Sequence, residues 1–181
     1  MPEKIKAEEL RIEKLETKHK SLIEGFQTQN KELKGFLVED AIKNQELLIS
    51  TTYLWFYTIT NELVAYTTLL SDSLRIKETD LEKMFVDKGI LYKSLPALKI
   101  GRLCVDERFS GRGIGTIITE FSISLGAKLS KTIGCRFIVL DAKQEALNFY
   151  KKLGFNILKD DKETVPMYFD LVDLIDFRKK R

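Results

Sequence analysis

Apolar residues along this chain recur at two spacings, and the change from one to the other separates strands from helices. Leu10 and Ile12 alternate with polar neighbours, which predicts a short opening strand. Between Ser21 and Gln45, Leu33, Phe36, Leu37 and Ala41 fall on one helical face, with a second short helix before them. Thr51 to Ile59 and Leu63 to Leu70 are rich in Thr, Tyr, Val and Leu and flank Thr60-Asn61-Glu62, the pattern of a hairpin. A charged connection, Lys77 to Lys93, carries a short helix over Asp80 to Val86, and Leu95-Pro96 restarts extended chain. Ala97 to Val105 reads as a strand, and Ile114, Ile117, Ile118, Phe121 and Leu125 then take helical spacing. Phe137 to Leu140 is an unbroken apolar strand, and Ala146, Phe149, Tyr150 and Leu153 line a helix closed by Gly154. Strands at Phe155 to Leu158 and Val165 to Leu171, joined by the polar loop Lys159 to Thr164, finish the chain. The class expected is α/β (α+β).

Composition narrows this little. At 181 residues, with 44% hydrophobic and 31% charged positions, no repeat and no Gly/Ser linker, the chain is expected to form one domain, 1–181, with its core over about 10–172. Met1 to Leu10 lacks the apolar centre of a secretory signal. The most apolar run, Tyr53 to Ile59, contains Thr58 and falls far short of the about twenty residues a membrane span requires. Cys104 and Cys135 show no metal-binding spacing, so no metal is expected and the reducing cytoplasm is the expected compartment. A net charge of +3 accommodates an anionic ligand without demonstrating nucleic-acid binding.

The candidate chemistry centres on Ser110-Gly111-Arg112-Gly113-Ile114-Gly115. Alternating glycines at a strand-to-helix junction let the amides of residues 112 to 116 converge, and a helix start adds roughly half a positive charge. Such a nest holds phosphate, with Arg112 as a further cation. A sharp turn with no ligand would use the same glycines, so context decides. A Walker loop is excluded, since no Lys-Ser or Lys-Thr pair follows. A dinucleotide fingerprint fails in register, because the sixth position is Thr116 counted from Gly111 and Ile118 counted from Gly113. Only Asp141, at the end of the next strand, favours that alternative.

With this loop, the order of elements resembles the GNAT superfamily of N-acetyltransferases over nearly the whole chain. Ser110 to Gly115 is similar to the family's [QR]-x-x-G-x-[GA] pattern, with Ser110 in place of Gln or Arg. Gly101 to Val105 resembles the bulged strand that pairs with pantetheine, and Ala146 to Phe155 resembles the second signature, an aromatic pair followed by Gly-Phe. The resemblance implies one mixed, strongly twisted sheet flanked by helices. It also implies acetyl-coenzyme A as cosubstrate, held by Leu103, Cys104, Val105, Gly111, Arg112, Gly113, Ile114, Gly115, Thr116 and Asn148. A narrower likeness, in Phe26 to Leu33, Phe36-Leu37, Ala41 to Gln45 and Gly101-Arg102-Leu103, is to the GNAT toxins of toxin–antitoxin pairs. These acetylate the α-amine of charged tRNA and are silenced by a small ribbon-helix-helix antitoxin; the family also pairs through its last strands into homodimers.

Acetyl transfer needs a neutral amine, a donor for the carbonyl oxygen and an acid for the departing thiolate. The resemblance places the donor at an amide near Leu103 or Cys104 and the acid at Tyr150, which would otherwise be an ordinary core residue of its helix. No general base stands out: Glu62, Asp72, Asp106 and Glu107 are eligible by position and all read as solvated charges. An α-amine with pKa about 7.7 is roughly one-fifth neutral at pH 7, whereas a lysine near 10.4 is so only about once in several thousand. An aminoacyl acceptor therefore dispenses with a strong base. Cys104 lacks the adjacent His a nucleophile needs, and His19, in Lys18-His19-Lys20, reads as exposed and cationic. The Lys-rich segment 14–20 and Arg178 to Arg181 are the candidate RNA contacts. The alternatives are an acetyltransferase for a small amine or a protein amine, and a coenzyme-binding module without turnover.

Overall fold

The structure, a computed structural model, describes residues 2–77, 79–159 and 163–174. The strands are β1 (Leu10–Lys14), β2 (Thr51–Tyr57), β3 (Glu62–Arg75), β4 (Ser94–Val105), β5 (Phe137–Lys143), β6 (Asn156–Ile157) and β7 (Thr164–Asp170). The helices are α1 (Lys20–Glu24), α2 (Lys31–Gly35), α3 (Ala41–Glu46), α4 (Asp80–Val86), α5 (Ile114–Leu129) and α6 (Leu147–Lys152). They flank a seven-stranded mixed sheet of order β1-β2-β3-β4-β5-β7-β6, in which β4 and β5 run parallel. The chain falls into two compact units, Met1–Leu70 with Ile100–Phe121 and Ser71–Lys99 with Ser122–Arg181.

In the first unit, β1 and β2 pair antiparallel from Leu10↔Tyr57 to Lys14↔Tyr53, and β2 continues antiparallel onto β3 with a register shift between Trp55 and Phe56. Asn61 supplies the left-handed residue of the hairpin turn at φ 57°. Alternation sends side chains to two cores. Leu54, Tyr66 and Cys104 pack with Ile23, Phe26, Leu37 and Ala41 of the helical segment, whereas Trp55 and Ala65 pack with Ile114 and Ile118 of α5.

The helix expected to carry Leu33, Phe36, Leu37 and Ala41 is divided into α2, a wide π turn at Phe36–Asp40, and α3, and α1 is the short helix expected before it. Asn30 starts α2 by accepting from the Leu33 amide at 3.1 Å. The Lys34 ammonium closes α1 by donating to the carbonyls of Ile23 (2.9 Å), Glu24 (2.5 Å) and Phe26 (2.7 Å). His19 corrects the sequence reading: it is buried, not exposed. Its Nδ1 accepts from the Glu16 amide at 3.0 Å, so the ring proton sits on Nε2 and is donated to Glu13 at 3.0 Å. Burial, assisted by Lys18, lowers its pKa.

In the second unit, β5 is flanked by β4, in register Ala97↔Phe137 to Lys99↔Val139, and by antiparallel β7, from Phe137↔Asp170 to Lys143↔Thr164. Helix α4, with the bounds expected, sets Leu81 and Phe85 against Leu95, Ala97, Phe137 and Val139. Gly126 of α5 admits the Ile138 side chain into the space a Cβ would occupy. β3 extends to Arg75, past the expected Leu70, because the exposed Ser71, Asp72 and Ser73 obscure a strand that Leu74 still anchors in this core.

Candidate active site

The glycine loop leaves β4 through an anchored turn. Asp106, fully buried, accepts from the Gln27 amide at 2.9 Å and the Arg108 amide at 3.1 Å, and its two oxygens receive Arg108 Nε at 2.9 Å and Nη2 at 3.0 Å. Burial alone would raise this carboxyl's pKa, but the Arg108 and backbone bonds outweigh it and hold the pKa low. Asp106 is thus a structural anchor, contrary to the solvated charge expected. The Glu107 amide donates to the Gln27 carbonyl at 3.0 Å, and the Gln29 amide donates to the Glu107 carboxylate. The segment Phe26 to Asn30 is thereby tied to the turn that aims the loop. An acid directly after a strand and two residues before an arginine was the available signal for this anchor.

Gly111 and Gly113 take φ of 77° and 83°, the left-handed region where a side chain is strained. The amides of Gly111 to Gly115 bond to no described residue, while those of Thr116 and Ile117 are taken by the Gly113 carbonyl at 3.1 and 3.3 Å. The free donors therefore run from 111 to 115 and stop one residue earlier than the sequence suggests. Five unpaired amides at the start of a sixteen-residue helix fit a pyrophosphate. Arg112 is otherwise engaged: its Nε donates to the Glu3 carbonyl at 3.0 Å, and its guanidinium lies over the rings of Tyr57 (5.1 Å) and Phe109 (5.6 Å). Leu103 and Val105 turn toward the α5 core and Cys104 toward the helical core, which leaves their backbone as what they present to a ligand. The Cys104 thiol is buried 3.6 Å from Thr28 Oγ1, and burial pushes its pKa up, opposite to what a nucleophile needs.

Tyr150, in the second unit, is positioned by the end of its helix. The Phe155 amide donates to the Tyr150 carbonyl at 3.1 Å and the Gly154 amide to the Lys151 carbonyl at 3.0 Å, with Gly154 at φ 87°. This is a Schellman motif, and its characteristic apolar contact is the Tyr150–Phe155 ring pair at 5.6 Å. Phe149 meets the same ring edge to face at 4.9 Å. Aromatic pair and Gly-Phe thus form one device that fixes the phenol ring. The hydroxyl bonds to no described residue, and burial pushes its pKa up to about 12, so it carries its proton at neutral pH. Asn148 is exposed on the first turn of α6.

The remaining candidate acids are engaged. Glu62 receives Arg108 Nη1 at 3.0 Å, while Lys99 lies 3.6 Å from Asp72 and 2.8 Å from Asp141. The run Arg178 to Arg181 and part of the loop Lys159 to Thr164 lie outside the described residues. Among the described residues no helix is long and apolar enough to cross a membrane, and no group of three or more His, Cys, Asp or Glu is placed to hold a metal.

The glycine loop in the first unit offers unpaired backbone amides at a helix start, and α6 in the second unit carries a protonated phenol with no partner among the described residues. Residues 50–157, more than half of the chain, match the acetyltransferase (GNAT) domain, and the chain belongs to that family; it is an acyltransferase. Solved structures of similar fold include AtaT complexed with acetyl-methionyl-tRNA, at TM-score 0.80 and 22% identity, covering 93% of this chain and 98% of that one. A tyrosine-to-phenylalanine mutant of KacT matches at TM-score 0.78 and 22% identity over 93% and 99% of the two chains. A tyrosine-to-phenylalanine mutant of the toxin AtaT, bound to the C-terminus of the antitoxin AtaR and acetyl-CoA, matches at TM-score 0.75 and 20% identity over 93% and 98%.

Proposed function

We propose that this protein is a single-domain toxin of the GNAT family that moves the acetyl group of acetyl-coenzyme A directly to the α-amine of an aminoacyl-tRNA. The observation that carries the coenzyme assignment is the run of five unpaired amides from Gly111 to Gly115. Bound there, acetyl-coenzyme A supplies an acetyl thioester. The loop amides hold its pyrophosphate, a backbone amide near Leu103 or Cys104 receives the carbonyl oxygen, and Asn148 steadies the pantetheine arm. Tyr150 keeps a proton for the sulfur, a role consistent with its raised pKa. Direct transfer is favoured by the buried thiol of Cys104.

The acceptor follows from what the acids are doing. Glu62, Asp72, Asp106 and Glu107 each have a cation or a backbone amide as partner, which favours an acceptor that needs no strong base. An α-amine, roughly one-fifth neutral at pH 7, needs no such help. AtaT is seen with acetyl-methionyl-tRNA, and the basic segment 14–20 offers the exposed Lys14, Lys18 and Lys20 to RNA phosphates. We assign the protein to the cytoplasm, with a ribbon-helix-helix antitoxin and a second copy of itself as partners. The test is incubation of the purified chain with labelled acetyl-coenzyme A and charged tRNAs. Label is expected on an aminoacyl α-amine; a chain that binds the coenzyme yet labels no charged tRNA overturns this acceptor.

A further inference from the structure

The segment Pro2 to Ile5 lies along the glycine loop. The Ile5 amide donates to the Arg112 carbonyl at 3.0 Å and Arg112 Nε donates back to the Glu3 carbonyl at 3.0 Å. Ile5 is buried with Trp55, Ile114 and Ile118, which pins the segment in place. A Cβ on Gly111 would lie 3.5 Å from Pro2 Cγ, and a Cβ on Gly113 would lie 3.9 Å from Lys4 Cδ. The Lys4 stem therefore runs beside the glycine whose conformation opens the cradle. Lys4 is exposed and has no hydrogen-bond or ion-pair partner among the described residues.

The loop otherwise lacks a cation. Ser110 stands where the family's pattern has Gln or Arg, and the Arg112 guanidinium is committed to Glu3, Tyr57 and Phe109. We propose that Lys4, delivered by the Pro2–Ile5 strap, is the side-chain cation that binds the coenzyme pyrophosphate at Gly113. This rests on the coenzyme reading above. A lysine is a mobile point charge and suits a phosphate already oriented by backbone amides, whereas a bidentate guanidinium would have to align the group itself.

The experiment is calorimetric titration of the full chain, and of its Lys4→Gln and Lys4→Arg variants, with coenzyme A and with 3′-dephospho-coenzyme A at low and about 0.15 M salt. Lys4→Gln keeps the stem and removes the charge. It is expected to weaken both ligands about fivefold at low salt, with a shallower salt dependence and an unchanged melting temperature of the free protein. Lys4→Arg is expected to restore most of the affinity. Equal affinity and equal salt dependence for Lys4→Gln overturn the proposal, as does a loss seen only with the 3′-phosphate present. No binding to the unmodified chain would instead overturn the coenzyme reading itself.

Discussion

The glycine loop and helix α6 solve opposite problems. The loop presents main-chain amides, so its side chains are free to serve elsewhere: Arg112 ties down the strap and Ile114 fills the core. Helix α6 presents one side-chain hydroxyl and uses its main chain, through the Schellman motif at Gly154, to aim that group. A backbone site tolerates changed side chains but not a changed conformation, whereas a side-chain site is lost with one atom. The cradle proposed here does not call on the Ser110 side chain at the head of the loop.

The sharpest break in this contrast is Tyr150→Phe, which removes the hydroxyl and keeps the ring pair with Phe155. Turnover is expected to fall about a hundredfold or more, with coenzyme affinity within about twofold. An undiminished rate in a steady-state assay would remove the acid role. Gly113→Val is the converse, forcing a β-branched residue into φ 83°. Coenzyme binding is expected to weaken roughly tenfold in a titration, with turnover at saturation far less affected. Asp106→Asn probes the anchor behind the loop. At pH 7 it is expected to cost about 2 kcal/mol in a denaturant melt, since charge-assisted bonds from Arg108 and Gln27 are weakened. The folded carboxyl's pKa is depressed below its unfolded value, so its contribution is full above about pH 4 and disappears as pH falls through the folded pKa. The gap between mutant and parent is therefore expected to close in acid, and a gap independent of pH would mean that the carboxylate charge is not what anchors the turn.

What the sequence disclosed follows the same division. Backbone features leave local marks, and the glycine spacing, helix α4 and the turn at Asn61 were all legible. Features made by distant contacts were not. His19 looked cationic beside Lys18 and Lys20, because nothing nearby announces that Glu13 and Phe56 enclose it. Asp106 looked solvated because its partner Gln27 lies far away in the chain. The strap was invisible, since Ile5 is flanked by lysines and the residues that place it, Trp55, Arg112, Ile114 and Ile118, lie far along the chain. The acid role proposed for Tyr150 rests on a family likeness; the chain itself shows an amphipathic helix ended by glycine.

The Schellman motif also sets when the order required by the acid role proposed for Tyr150 is imposed. Ordering a flexible side chain at the moment of reaction takes up to about 1 kcal/mol or more of rotamer entropy, a term that would add directly to the barrier. Here the phenol ring is packed against Phe149 and Phe155 once the protein has folded. For the acid role proposed, that entropy is lost once, when α6 caps, and not again in every turnover.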